Sequence, residues 1–164
     1  MYEGLRRAVA DAAGREDVLA ALAGVYGDVQ AAVDLRRPIC GASGRCCRFE
    51  EFGHRLLVSA IELAGFVADL RRLPSWPRLD EAMDGWSGLG CPFQVGRLCG
   101  VHGIRPLGCR IFFCDRSAAE WQREQHALFH ARLKRLHDEL EVPYFYIEWR
   151  QGLRALCGRP EEVR

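Results

Sequence analysis

Four of the eight cysteines in this chain lie in the segment CPFQVGRLCGVHGIRPLGCRIFFC, residues 91–114. Three more lie upstream in ICGASGRCC, residues 39–47. A chain of 164 residues that is 49% apolar can bury a core without any thiol, so seven clustered cysteines need a chemical reason. Thiolates bind soft metals such as zinc and iron. These two stretches, the thiol segments, therefore predict a protein that binds a metal ion or cluster.

The composition gives no sign of a nucleic-acid or membrane partner. The formal net charge is only +1, so no strong field attracts nucleic acid or an anionic lipid surface. Acidic residues at Glu3, Asp11, Glu16 and Asp17 interrupt the N-terminal region, which predicts neither a signal peptide nor a membrane span. We therefore expect a cytoplasmic protein, in which clustered cysteines act as metal ligands or redox groups and not as disulfides.

Helical spacing of apolar side chains predicts a fold that is mainly α. Residues 2–35 fit a helix, which Gly14 and Gly24 weaken enough to allow two shorter ones. A helix of about three turns is predicted after Ser59, which has the spacing to form a capping box with Glu62.

A long helix is predicted in the C-terminal part of the chain. Ser117 and Glu120 form a second capping-box pattern, and the helix is expected to run to about Glu141. Its inward-facing side chains are predicted from their spacing to be Trp121, Leu128, Leu133, Leu136 and Leu140. The aromatic residues 144–149 then favour a strand, and a last helical turn follows.

Short β elements are expected between these helices. Residues 48–58 fit two short strands around Gly53, and residues 73–90 fit a loop in which Trp76 and Trp86 fold onto the core. The expected fold class is mainly α with short β hairpins, a small cysteine-rich and metal-stabilised domain with flanking helices. Three parts are expected to form one folded unit: an N-terminal helical arm (1–37), a cysteine-cluster metal-binding domain (38–116) and a C-terminal helix and tail packed on it (117–164).

The spacing of the cysteines favours an iron–sulfur cluster over a zinc ion. The chain contains no Cys-x-x-Cys pair, the turn with which zinc ribbons and knuckles aim two sulfurs at one ion. Iron–sulfur clusters accept wider and less regular spacings because their ligands reach separate irons across a larger body. The Cys-Pro pair at Cys91 also occurs in some cluster motifs. A zinc ion is the alternative.

Several short motifs follow one another in a fixed order along residues 38–116. They are Gly44-Arg45-Cys46-Cys47, Val58 with Glu62, Cys91-Pro92-Phe93, Cys99, and Arg105-Pro106-Leu107-Gly108-Cys109-Arg110 with Phe112. In this order the motifs resemble the YkgJ-type cysteine-cluster family, which is described as zinc- or iron-chelating. The flanking helices carry no part of the resemblance.

The resemblance implies metal ligation by Cys40, Cys46, Cys47, Cys91, Cys99 and Cys109. One position departs from the family pattern, which has Cys-x-x-Cys before the adjacent pair, because the second of those positions is Ser43 here. Either the site has lost one ligand or Cys114 supplies a replacement, so Cys114 is a seventh candidate. His102 is a further candidate, since an imidazole can complete a mixed site.

The remaining cysteine, several histidines and four arginines are not expected to be metal ligands. Cys157 is expected to pack in the C-terminal tail, and His54 is expected at the surface. His126, His130 and His137 are expected on the polar face of the long helix; the first two stand four residues apart, but without a third ligand. Four arginines are expected either to offset thiolate charge or to form a solvated rim: Arg45, Arg48, Arg105 and Arg110.

The sequence leaves three functions open. The first is a metal-binding protein with a cysteine-ligated site in a redox or structural role. The second is a metal-dependent enzyme with a methyl-transfer or hydrolytic activity. The methyl-transfer alternative follows from the flagellin lysine methylases, which carry a similar cluster motif, and the hydrolytic one from a metal that activates water. The third is a metal chaperone or an iron-handling partner of another protein. No catalytic residue is assigned, and no glycine-rich loop predicts a cofactor site for S-adenosylmethionine or NAD.

Overall fold

The computed structural model describes residues 2–158, and this part of the chain is mainly helical. Its α-helices are α1 (Tyr2–Ala13), α2 (Glu16–Arg36), α3 (Phe49–Phe52), α4 (Ala60–Leu70), α5 (Leu79–Asp84), α6 (Leu107–Ile111), α7 (Ala119–Glu139) and α8 (Trp149–Leu156). Its strands are β1 (Leu57–Ser59), β2 (Gln94–Val95), β3 (Leu98–Cys99) and β4 (Tyr146–Glu148). The mainly α fold class is confirmed, whereas its stabilisation by a metal stays a prediction.

The predicted N-terminal helix is divided in two, at Gly14 and Arg15. Gly24 lies inside α2 without interrupting it. One side of α2, formed by Val18, Leu22, Val25 and Val29, is buried, and the helix packs against α4, α6 and α7. In the described part of the chain, α2 is the one helix long and apolar enough to cross a membrane by length and composition alone. The expected lack of a membrane span therefore stays a prediction.

Helix α4 lies at the centre of the fold, and nine of its 11 residues are buried. Its predicted capping box is confirmed: the Ser59 hydroxyl accepts from the Glu62 N–H at 3.4 Å, and the Glu62 carboxylate accepts from the Ser59 N–H at 2.7 Å. One hydrophobic core contains side chains from α1, α2, α4, α7 and α8 together with Phe93 and Leu107 of the second thiol segment. The core thus reaches all three parts of the chain.

The prediction of two strands in residues 48–58 is wrong for the first of them. Residues Phe49–Phe52 form the short helix α3, which ends at Gly53 with a φ of 64°. The second strand is β1, and it pairs antiparallel with the distant β4, with Val58 opposite Ile147. The aromatic run near the C-terminus is therefore a strand, as predicted, but β1 and β4 do not form a hairpin. Strands β2 and β3 do, with Gln94 opposite Cys99.

The linker region is more ordered than the sequence indicates, because residues 79–84 form α5. Both tryptophans pack on the core, as predicted. The Trp76 indole N–H donates to the carbonyl oxygen of Gly100 at 2.8 Å, so this ring fixes the linker against the second thiol segment.

Two details of the long helix differ from the prediction. Asp115, and not Ser117, caps the helical turn that precedes α7, because its carboxylate accepts from the Ser117 N–H at 2.9 Å. Leu128 is 53% exposed, whereas Phe129 is buried. Buried positions at Phe129, Leu133 and His137 follow one face four residues apart, and Leu128 lies off that face.

The prediction that His137 lies on the polar face of the long helix is wrong, because its side chain is buried, and this burial is expected to make the fold sensitive to acid. Its ring is 2% exposed, and Nδ1–H donates to the Val142 carbonyl at 3.0 Å, while the buried Nε2 has no partner among the described residues. Burial lowers the pKa of His137 below 6.5, so the unfolded chain binds more protons than the folded one under mildly acidic conditions. The free energy of unfolding is therefore expected to fall as the pH drops below 6.5.

The measurement is urea unfolding of the wild type and the His137→Phe variant at several pH values. The variant should lose about 1 kcal/mol at pH 8 from the missing hydrogen bond, but show a shallower loss towards acid. Equal slopes in the two proteins would contradict this role of His137.

Candidate metal centre

Backbone hydrogen bonds bring the two thiol segments together. Cys46 and Cys47 lie in a short 3₁₀ turn, Arg45–Cys47, and the Cys91 N–H donates to the Cys47 carbonyl at 2.7 Å. The β2–β3 hairpin then places Cys99 opposite Gln94, whose side-chain amide donates to the Gly44 carbonyl at 3.1 Å. These contacts place cysteines from both segments around one point.

Glu62 fixes the position of the third element, helix α6, which carries Cys109. Its buried carboxylate accepts from the N–H of Leu107, the first residue of α6, at 2.9 Å and from the N–H of Ser59 at 2.7 Å. One side chain therefore joins the N-termini of α4 and α6. Burial raises the pKa of Glu62, although these hydrogen bonds act in the opposite direction.

Arg110 holds the loop that leads into α6. Its Nε donates to the carbonyl of Arg105 at 2.5 Å, and its Nη2 donates to the carbonyl of Gly103 at 3.0 Å. The guanidinium also stacks on the ring of Tyr26, 4.1 Å from the ring centroid. Arg110 thus connects the thiol loop to α2.

Cys47 is the central residue, or hub, of the group of cysteines that the two thiol segments bring together. Its thiol is within hydrogen-bonding reach of the sulfurs of Cys46, Cys91 and Cys99, and these contacts raise the pKa of Cys47 well above its ordinary value. The same contacts with the Cys47 side chain lower the pKa of Cys46 to about 6 and that of Cys99 to about 7, and they also lower the pKa of Cys91. Within this group, Cys47 therefore holds its proton most strongly, and its three neighbours lose theirs more readily than an ordinary cysteine.

Cys109 is the fifth member of this group. Burial raises its pKa well above the ordinary value, and the neighbouring sulfurs of Cys91 and Cys99 act in the same direction. The positive charge of Arg105 opposes this rise, and it also lowers the pKa of Cys46 and Cys99. Of the four arginines expected near the thiols, Arg105 is the one whose charge acts on several sulfurs.

The other three of these arginines have different neighbours. Arg48 forms a salt bridge with Glu51 at 3.0 Å, and the Arg45 guanidinium lies over the Phe52 ring. Arg110 faces Tyr26 and the loop carbonyls, although its charge is still felt by Cys109.

Three of the seven predicted ligands are exposed: Cys40, Cys46 and Cys114. Of these, only Cys46 interacts with the Cys47 thiol. The Cys114 sulfur lies 3.5 Å from the Ser43 hydroxyl, so it touches the position where the family pattern has a cysteine. His102 is also exposed, and its pKa is lowered by partial burial and by the charges of Arg105 and Arg110. The seven cysteines of the thiol segments form no disulfide.

Three residues that support the centre were missed by the sequence analysis. The Trp149 indole N–H is buried without a partner of ordinary hydrogen-bond geometry in residues 2–158, and it lies beside Cys91, whose pKa it lowers. Arg150 is 6% exposed and forms ion pairs with Glu148, at 2.7 Å, and with Glu50. Glu50 in turn accepts from the N–H of Gly90, the residue before Cys91, at 2.8 Å. No local pattern marked the longer-range contacts, because they join positions 40 (Glu50 and Gly90) and 100 (Arg150 and Glu50) residues apart in sequence.

The donor set has the chemistry of a soft-metal site. Cys47 interacts with three other thiols, Cys109 lies near enough to be affected by their charge, and the Trp149 indole N–H and the charge of Arg105 act on members of the same group. Within residues 2–158, however, no three His, Cys, Asp or Glu side chains are arranged as ligands of one metal ion. Because a metal binds thiolates, metal binding has to displace the protons of these thiols, including the strongly held proton of Cys47.

No protein-family model matches this sequence, and neither a curated protein nor a solved structure matches it. The resemblance to the YkgJ-type proteins therefore rests on the residues of this chain alone.

Gly44 is the backbone position on which the first thiol segment depends. Its φ is 72°, and a Cβ there would lie 2.8 Å from the carbonyl oxygen of Arg97, which is backbone and cannot move aside easily. Gly53 is a matched control, because its φ is 64° and nothing lies within 4 Å of a Cβ. Gly53→Ala should cost about 1 kcal/mol from strain, and Gly44→Ala at least about 2 kcal/mol more from the clash. Urea unfolding of both variants measures the difference, and equal costs would contradict the packing of the segment against Arg97.

Proposed function

We propose that this protein binds a metal through a cysteine-ligated site, that an iron–sulfur cluster is favoured over a zinc ion, and that the site has a redox or structural role. The single observation that carries the proposal is the contact between the two thiol segments at Cys47, whose carbonyl accepts from the Cys91 N–H at 2.7 Å and whose thiol interacts with Cys46, Cys91 and Cys99. Cys46, Cys47, Cys91, Cys99 and Cys109 are the proposed ligands, and Cys40 and Cys114 are outer candidates. A member of the YkgJ-type family in the cytoplasm is the identity that this site supports best.

The spacing of the thiols supports the cluster over a single zinc ion. The chain has no Cys-x-x-Cys pair, with which structural zinc sites usually aim two sulfurs at one ion, whereas cluster ligands reach separate irons. The Trp149 N–H beside Cys91 also fits a cluster, because hydrogen bonds to sulfur tune the reduction potential of iron–sulfur centres. When bound, such a cluster supplies one-electron transfer or holds the loops in place. The residues of this chain orient it, through Glu62, Arg110 and Arg150.

One observation favours a metal-dependent enzyme as a second candidate. A cavity of about 620 Å³ is lined by Cys46 and Cys109, so a small molecule inside it would touch two proposed ligands. An enzyme requires such access to its metal, whereas a purely structural site does not. The metal chaperone is the third candidate, and it is distinguished by rapid exchange of the metal with a chelator.

The test compares Cys99→Ala with the matched control Cys157→Ala, because Cys157 lies outside both thiol segments. Each protein is loaded under anaerobic conditions with ferrous iron and sulfide, and in a parallel sample with zinc. The wild type and Cys157→Ala should take up the same amount of metal, and Cys99→Ala should take up less and lose it faster to a chelator. Equal uptake and retention by both variants would contradict a site built from the clustered thiols.

A further inference from the structure

A cavity beside the cysteines of the candidate metal centre has the size of a small-molecule site. Its volume is about 620 Å³, within the range of ordinary ligand pockets. It lies between the α3–β1 region and the start of α7, and Cys46, Cys109 and Cys114 line one side of it. Most of the remaining wall is aromatic or aliphatic. A ligand in this cavity therefore contacts apolar side chains on one side and sulfur on the other.

A stack of flat rings ends at this cavity. Tyr146 stacks on His130 with 4.5 Å between ring centroids, His130 stacks on His126 at 5.9 Å, and His126 contacts Phe112 at 5.2 Å. The planes of successive rings differ by only 24° to 36°. Phe112 is 43% exposed, and no second ring packs on it among the described residues. Its outer face is available to another flat ring.

The cavity wall carries more positive than negative charge. Arg45, Arg55 and Arg116 line it, and none of them forms a salt bridge with a carboxylate of residues 2–158. Asp115 is the one carboxylate on the wall of this cavity, and its oxygens already accept from the N–H of Ile39 and from the N–H and hydroxyl of Ser117. The three guanidinium groups can therefore bind an external anion.

We propose that this cavity binds a planar aromatic molecule with an acidic group, its ring against Phe112 and its anion at the arginines. An inorganic anion would leave the apolar wall uncovered, and a neutral ring would leave the arginines unpaired. Binding itself does not require a metal. That the ligand would then lie beside a metal held by Cys46 and Cys109 is the part that rests on the proposed function.

The test is calorimetric titration of the full chain with probes of defined chemistry. Two probes represent two sources of the same chemistry: 2-naphthoate, an aromatic carboxylate, and adenosine monophosphate, a nucleotide. Each of two control compounds lacks one feature: 2-naphthalenemethanol lacks the negative charge, and octanoate lacks the aromatic ring. At least one aromatic anion should bind at least about tenfold more tightly than both controls. No binding of either aromatic anion, or equal binding of a control, would overturn the proposal.

Variants locate the binding in this cavity. Arg55→Gln combined with Arg116→Gln should weaken the tighter probe by at least about tenfold. The double variant Arg71→Gln and Arg123→Gln removes the same charge elsewhere on the surface and should leave affinity unchanged. Phe112→Leu should weaken the binding of both aromatic anions but not that of octanoate.

Equal affinity in the two double variants would overturn the assignment to this cavity. Metal is measured in the same samples, so that binding without metal supports this site while it counts against the proposed metal function.

Discussion

Replacing Cys47 with serine is expected to abolish stable metal loading and to lower the free energy of unfolding by at least about 3 kcal/mol, which is the stabilisation given by a ligand present at a hundredfold excess over its dissociation constant. Cys47 is 6% exposed, and its thiol contacts three of the four other proposed ligands. Serine keeps the size of the side chain but not the thiolate, so the packing of the core is preserved while the hub of the sulfur group is lost.

The measurement is thermal or urea unfolding of wild type, Cys47→Ser and Cys157→Ser, each with and without a strong chelator. Without chelator, Cys47→Ser should be the least stable protein, and Cys157→Ser should resemble the wild type. With chelator, the wild type should approach Cys47→Ser, because both then lack the metal. If Cys47→Ser keeps the metal and the stability of the wild type, Cys47 is not the hub of a metal centre.

Arg150→Met is expected to destabilise the protein by about 3–5 kcal/mol, the usual cost of removing one member of a buried ion pair. Arg150 lies between Glu148, which is 9% exposed, and Glu50, whose carboxylate also holds the Gly90 N–H. Methionine fills the space of the arginine stem but leaves two carboxylates close together without a cation. The loss of stability should extend to the cysteines around Cys47, because Gly90, which Glu50 holds, is the residue before Cys91.

Arg132→Met is the matched control, since it breaks an ion pair of 2.7 Å with Asp28 in which both side chains are partly exposed. That exposed pair should contribute less than about 1 kcal/mol. Adding Glu148→Gln to Arg150→Met should recover part of the stability, because it removes one of the two uncompensated charges. Equal effects of Arg150→Met and Arg132→Met on urea unfolding would show that the buried network is not needed.

Local features of the fold could be predicted from the sequence. The capping box of Ser59 and Glu62 depends on residues three positions apart, and the structure has both of its hydrogen bonds. The similar pattern at Ser117 and Glu120 failed because Asp115, two residues earlier, is an equally good capping residue, and its carboxylate accepts from the Ser117 N–H and starts the helical turn first. The pattern alone does not show which of two capping residues is used.

The pairing of strands that are distant in sequence could not be predicted from local sequence patterns. The predicted strand before Gly53 is a helical turn, and β1 finds its partner near the other end of the chain. The same limit applies to the candidate site. Spacing and motif order predicted that the thiol segments meet. They did not predict that Cys47 is the hub, that Cys40, Cys46 and Cys114 are exposed, or that Arg150 supports the centre. Those properties depend on which side chains tertiary packing brings together.

The central claim is tested most directly by the iron, zinc and acid-labile sulfide content of the full chain, purified without oxygen and examined by visible absorption. The proposed function predicts a brown protein with stoichiometric iron and sulfide and with broad visible bands from charge transfer to iron. A colourless protein with one zinc ion would replace the cluster by the alternative metal. A protein with neither metal, which also takes up none on anaerobic reconstitution, would contradict the account.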